Sequence, residues 1–281
     1  MIRSVLAGML ATVLLGSDLE PLERVGRLSA PAIREASGMV TSRRFPGIFW
    51  VHNDSRNPPE LFAVRRDGQL VRSYPVAAPN VDWEDIATDD SGHLYLGDTG
   101  DNHGVLPIRV ILKIDEPDPT RLADAGFAKP LPILTATHYH YPARQRFDAE
   151  GLVVAGDQAL IVTKRRDHQP AEVYRLPLQP AAPWRPLIAE RLGFLPGCVE
   201  PVTGASLTPD GRTLAVVTDR SVRVYESAQL ADWTLVGSTS FDAPDVEAIT
   251  WEGTDLILAS EDRSIYRVPN RRWRTRSREK R

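Results

Sequence analysis

EDIATDDSGHLYLGD (84–98), EGLVVAGDQALIVTK (150–164) and EAITWEGTDLILASE (247–261) share one plan. Each opens on an acidic residue, runs through a short apolar strand, turns on polar residues and returns as a second apolar strand. Each closes on a charged residue 14 positions after the first. TGASLTPDGRTLAVVTD (203–219) repeats the plan with a longer turn. EASGMVTSRRFPGIFWVHND (35–54) repeats it with an insertion, Ser37 aligning with Glu150.

A third strand follows each segment: LFAVRR (61–66), IRVILKID (108–115), EVYRLPL (172–178), VRVYESA (222–228) and SIYRVPN (264–270). Near period-2 alternation of β-branched and aromatic residues marks them as strands. Fourth strands are predicted at 70–76, 137–142, 187–194 and 233–241; the last unit lacks one. A four-stranded unit recurring in this way is the signature of a β-propeller. The chain is therefore expected to be all-β, with about five four-stranded blades. The N-terminal stretch LERVGRLS (22–29) would supply the missing outer strand, close the ring and cover its edge. Residues 117–147 are long for one connection and leave a sixth blade open.

Residues 22–270 are read as one propeller domain. Before it, residues 1–17 carry Arg3 and an apolar run from Val5 to Leu15. That run is too short to cross a bilayer and suits an export signal, which implies a periplasmic or secreted protein with no membrane span after processing. After it, residues 271–281 carry seven bases and one acid and are expected to fray. The chain's net charge is −3, so without this +6 tail it carries about −9. An acidic body argues against nucleic acid as a partner. The only cysteine, Cys198, excludes an intrachain disulfide and a cysteine-based metal centre.

In a propeller the first strand of each blade lines the central channel. Glu84, Glu150 and Glu247 then form one ring with Ser37 and Thr203, and Glu35 lies nearby. Carboxylates converging in a narrow channel need a cation, shared protons or bases. Hard oxygen donors suit Ca²⁺ ahead of Mg²⁺, so Glu84, Glu150 and Glu247 are the candidate metal ligands. A second set closes the second strands: Asn53, Asp54, Asp98, Lys164, Asp219 and Glu261, with Lys164 a counter-charge for Glu150. These are the candidate channel residues. With Glu84 facing the channel, alternation turns Trp83 and Asp85 away from it. GDTGDN (97–102) is a Gly-containing loop able to wrap a cation or simply to turn tightly. His52, beside Asn53 and Asp54, is the candidate acid–base group at the channel mouth. No nucleophile elbow, phosphate-binding loop or HExxH motif is present.

The ordered motifs EASGM, FWVHNDS, DWEDIA, GDTGDN, FDAEGL and VTKRR resemble those of uncharacterised bacterial exported propellers. That group is similar in turn to the SdiA-regulated and esterase-like phytase propellers, and more distantly to the NHL, gluconolactonase and paraoxonase propellers. The likeness to the last two implies a divalent metal at the top of the channel and would favour Glu84, Glu150, Glu247 and Asn53 as its ligands. Lys164 and Thr203 depart from that pattern. Three functions stay open: a propeller binding a cation or small polar ligand, a metal-dependent hydrolase of esters, lactones or phosphoesters, and a scaffold for protein partners.

Overall fold

A computed structural model describes residues 21–121 and 129–274. The export segment expected at residues 1–17 lies outside them. The chain enters through β1 (Glu23–Arg27) and then builds five blades in sequence. The first contains β2 (Ala36–Thr41), β3 (Phe49–Asn53), β4 (Glu60–Val64) and β5 (Leu70–Pro75). The second contains β6 (Trp83–Thr88), β7 (His93–Asp98), β8 (Arg109–Asp115) and β9 (Thr135–His140). The third contains β10 (Asp148–Ala155), β11 (Gln158–Lys164) and β12 (Glu172–Pro177), followed by the short β13 (Leu187–Ile188) and β14 (Glu190–Phe194). The fourth is β15 (Val202–Leu207), β16 (Thr213–Thr218), β17 (Ser221–Glu226) and β18 (Thr234–Ser240). The fifth is β19 (Val246–Glu252), β20 (Asp255–Ser260) and β21 (Ser264–Val268). β1 pairs antiparallel with β21 and completes that last sheet, so the N-terminal strand closes the ring as expected.

The inner strands are neighbours in cyclic order, β2–β6–β10–β15–β19 and back to β2. Between blades lie five apolar clusters, one for each junction. Alternation puts the apolar side chains of β3, β7, β11, β16 and β20 into both flanking clusters, which is why these middle strands read as nearly unbroken apolar runs. Trp83 packs between the first two blades with Trp50 and Leu61.

Residues 129–134 build no sixth blade. Leu131 bridges Val76 beside β5 and packs into the junction between the first two blades. The stretch 187–194 is not one strand. Its first two residues run parallel to β9 as a fifth strand of the second blade, and the chain then crosses to pair β14 with β12. The basic tail is folded at its start: Asn270–Trp273 form a short helix, and buried Trp273 packs edge-on against Trp251. Residues 275–281 lie outside the described structure.

One irregularity recurs in every blade. The ladder between first and second strand skips a residue at Ser37, Glu84, Glu150, Thr203 and Glu247. Each predicted ring residue thus sits on a β-bulge, which frees it from the pleat and re-aims its side chain.

Candidate cation site at the channel mouth

The bulges turn the ring residues toward one end of the channel. In the first and fourth blades the ring residue is a hydroxyl used for assembly. Ser37 Oγ donates to the carbonyl of Glu84 (2.8 Å), and Thr203 Oγ1 to that of Val246 (2.7 Å). The other three positions carry the carboxylates.

Glu84 and Glu150 come together. Among the described residues, two groups of carboxylates have oxygens within 4.8 Å of one another: Asp54, Asp82 and Glu84, and Glu84, Asp148 and Glu150. Glu84 belongs to both. It is only 4% exposed, and its carboxylate makes no hydrogen bond or ion pair among the described residues. Burial pushes it well above the usual carboxylate range, and the charges of Glu150 and Asp54 push it further. Burial, followed by Asp54, raises Asp82 to about 6.

A glycine makes the first group possible. A Cβ on Gly100 would fall 2.1 Å from Glu84 Oε1 and 2.4 Å from Asp82 Oδ2. The Gly-containing loop therefore serves as a floor under the carboxylates, and its own acid is engaged elsewhere. Asp101 pairs with buried Arg109 at 2.5 Å and accepts the amides of Val105 and Leu106.

The second group already has bases. Lys164 Nζ lies 2.6 and 2.5 Å from the two oxygens of Glu150, and Arg166 Nη1 lies 2.7 Å from Asp148. Burial disfavours the ammonium of Lys164, but Glu150 and Glu247 outweigh that and raise it. The charge of Glu247 also acts on Lys164. Burial lifts Glu247 to about 7 against the pull of Lys164, with Glu261 and Asp219 adding to the rise. It joins neither group of close carboxylates. Of the three predicted ligands, Glu150 is neutralised by Lys164; the carboxylates of Glu84 and Glu247 have no hydrogen bond or ion pair among the described residues, and of these two only Glu84 joins a group of close carboxylates.

The remaining candidates separate into braces and rim. Asn53 is fully used: its Oδ1 accepts the amides of Arg34 and Glu35, and its Nδ2 donates to Ala32. Asp98 does the same work one blade on, accepting the amide of Asp82 at 2.8 Å. Both hold the backbone that leads into an inner strand. Glu35 is exposed and accepts from Asn57 (2.7 Å). Asp219 and Glu261 are exposed at the rim. The strand register explains their position: the residues equivalent to Asn53 and Asp98 in the last two blades are Thr218 and Ser260, one earlier than the sequence alignment places them.

His52 is not at the mouth. It is fully buried, edge-on to Trp83 (5.7 Å), in the space that Gly38 leaves; a Cβ there would lie 2.2 Å from its Nε2. Nδ1 lies 3.0 Å from the carbonyl of Asn53, while Nε2 faces the backbone of Asp85 without a well-formed hydrogen bond. Burial lowers its pKa to about 4, which favours the uncharged imidazole at neutral pH.

Asp85 reverses another expectation. The bulge at Glu84 breaks simple alternation, and Asp85 reaches across the axis instead of away from it. Its Oδ2 accepts the amides of Leu152 (2.8 Å) and Ala205 (3.2 Å), and its Oδ1 that of Ile86 (2.8 Å). One buried carboxylate thereby ties together three inner strands. Below it the channel narrows to a cavity of about 20 Å³ lined by Ile86, Leu152, Val154 and Leu207 together with Arg43, Thr88 and Ser206. That volume holds a water molecule at most, so a ligand reaches the carboxylates from the mouth alone.

Asp82, which the sequence clusters with Glu84 and Asp85 in NVDWEDIA (80–87), and Asp148 lie outside the two sets of channel residues read from the repeat. Their signal is nevertheless in the sequence: D-x-E occurs as Asp82-Trp83-Glu84, Asp148-Ala149-Glu150 and Asp245-Val246-Glu247. The bulge lets the first and third residues of such a triplet crowd the same end of the channel.

No protein-family model and no curated protein sequence matches the chain. Among solved structures it is similar to a chain of a nidogen/laminin complex, at 12% identity and a TM-score of 0.46, covering 85% of this chain and 82% of that one. It is also similar to the β-propeller domain of Cps50 (Swd1) from Myceliophteria thermophila (10%, 0.43, 93% and 71%). A chain of a mitotic checkpoint complex matches at 10% identity and 0.43, over 84% of this chain and 60% of the other's length. The chain is a five-bladed β-propeller.

Proposed function

We propose that this is an exported binding propeller that holds a divalent cation, Ca²⁺ ahead of Mg²⁺, at the mouth of its channel. Asp54, Asp82 and Glu84 would be the protein ligands. The carrying observation is Glu84, a buried carboxylate that the protein leaves without a hydrogen bond or a base. An uncompensated charge in such a place is costly, and a cation or a proton is what offsets it. Three carboxylates supply hard oxygen ligands and leave the remaining coordination positions to water or to a polar ligand entering from outside. The resemblance to metal-binding propellers is consistent with a metal at this end.

The test is thermal or denaturant unfolding in EDTA and in Ca²⁺. Calcium at 100 times its Kd should add about 2.7 kcal/mol, and Glu84→Gln should abolish the gain without unfolding the protein. Equal stability with and without calcium would reject the site.

A second reading, a surface for protein partners, draws on the loop between β12 and β13. Trp184 is 86% exposed there, between Pro183 and Arg185, and nearby Ile188 is exposed on the outer edge of the second blade. Under this reading Trp184→Ala removes partner binding and leaves the calcium response intact.

A further inference from the structure

The two groups of carboxylates share Glu84 but are not equivalent. Around the first, no base among the described residues contacts Asp54, Asp82 or Glu84. In the second, an ammonium lies against both oxygens of Glu150, as a bidentate metal ion would, and is itself 88% buried in its side chain. Arg166 covers the outer side through Asp148 and Asn102. Position 164 is also unusual within the repeat: counted from the residue that pairs just past each bulge, its equivalents are Asp54, Thr99, Asp219 and Glu261. None of those is basic. The unpartnered carboxylate of Glu84 faces both groups, so what distinguishes them is the base.

We propose that Lys164 is a tethered cation filling the second of two positions bridged by Glu84, and that it limits the channel to one divalent ion. This rests on the cation reading given above, and deepens it by naming the residue that sets the stoichiometry. Replacing the ammonium with a neutral side chain should open a second position bounded by Glu84, Asp148 and Glu150. An arginine should keep that position closed.

The experiment is calcium titration by calorimetry and equilibrium dialysis on the full chain and three variants, each checked for folding by circular dichroism. The expected stoichiometries are one ion for the native protein and for Lys164→Arg, two for Lys164→Gln, and one again for Lys164→Gln combined with Glu150→Gln. A Lys164→Gln protein that binds no more calcium than the native one overturns the proposal. If the native protein binds none, the cation site at Asp54, Asp82 and Glu84 fails. The tethered-cation proposal then still predicts one ion in Lys164→Gln, and none there overturns it too. Should Lys164→Gln not fold, nitrogen-detected NMR of the native protein decides. The Lys164 ammonium should stay slowly exchanging in saturating calcium, and its release by calcium would refute the proposal.

Discussion

Replacing Glu247 by Gln should stabilise the metal-free protein, and only at neutral and alkaline pH. Glu247 titrates near 7 in the folded chain against 4.5 for an ordinary glutamate, raised first by burial. An acid whose folded pKa is raised binds more protons folded than unfolded between those two values. The contribution of this group therefore falls as pH rises from 4.5 and is lost above 7. Each unit is worth about 1.4 kcal/mol, so ionising Glu247 costs the fold about 3 kcal/mol. A neutral amide of the same shape avoids that cost. Groups that titrate alike in both proteins, His52 among them, cancel in the difference. Urea unfolding in EDTA should show the Gln variant equal to the native protein at pH 4 and about 3 kcal/mol more stable at pH 8. A difference that does not change with pH, or a variant less stable at pH 8, would refute the claim that burial holds the Glu247 carboxyl above the ordinary range.

Asp85→Ala leaves three buried amides without an acceptor; at about 1–3 kcal/mol each, partly offset by no longer burying a carboxylate, the net loss should be about 3–5 kcal/mol in urea unfolding. Gly100→Ala drives a methyl into the oxygens of Glu84 and Asp82, so calorimetry should find calcium affinity reduced tenfold or more (about 1.4 kcal/mol) with near-native circular dichroism. His52, with its pKa lowered by burial from 6.5 to about 4, favours the fold above pH 6.5. That contribution, about 3 kcal/mol, is lost as pH falls through 4. Hence the stability gap between native protein and His52→Gln should narrow over that range, as followed by denaturant unfolding.

The fold was legible because its repeat is carried by strands and turns, and these leave local marks. The 14-residue register from Glu84, Glu150 and Glu247 identifies the inner strands, and the missing fourth strand of the last unit identifies β1 as the closing strand. The strand-switch at Ala189 was not legible. A parallel bridge of two residues to β9 leaves no periodicity behind.

The site was legible in part. Convergence of Glu84 and Glu150 follows from ring geometry alone. Which carboxylates stay unpaired depends on a one-residue bulge, and pattern reading assumes unbroken alternation. That single slip turns Asp85 inward and brings Asp82 and Asp148 level with the ring. His52 was misplaced for a different reason. Its neighbours Asn53 and Asp54 are polar, but the bare backbone of Gly38 opposite it creates an interior space that the imidazole fills.

Long-wavelength anomalous diffraction from a crystal grown in calcium tests the central claim most directly. One peak should appear with oxygens of Asp54, Asp82 and Glu84 at about 2.3–2.6 Å, and none between Glu150 and Glu247. Density confined to another part of the ring, or no peak in saturating calcium, would contradict the account.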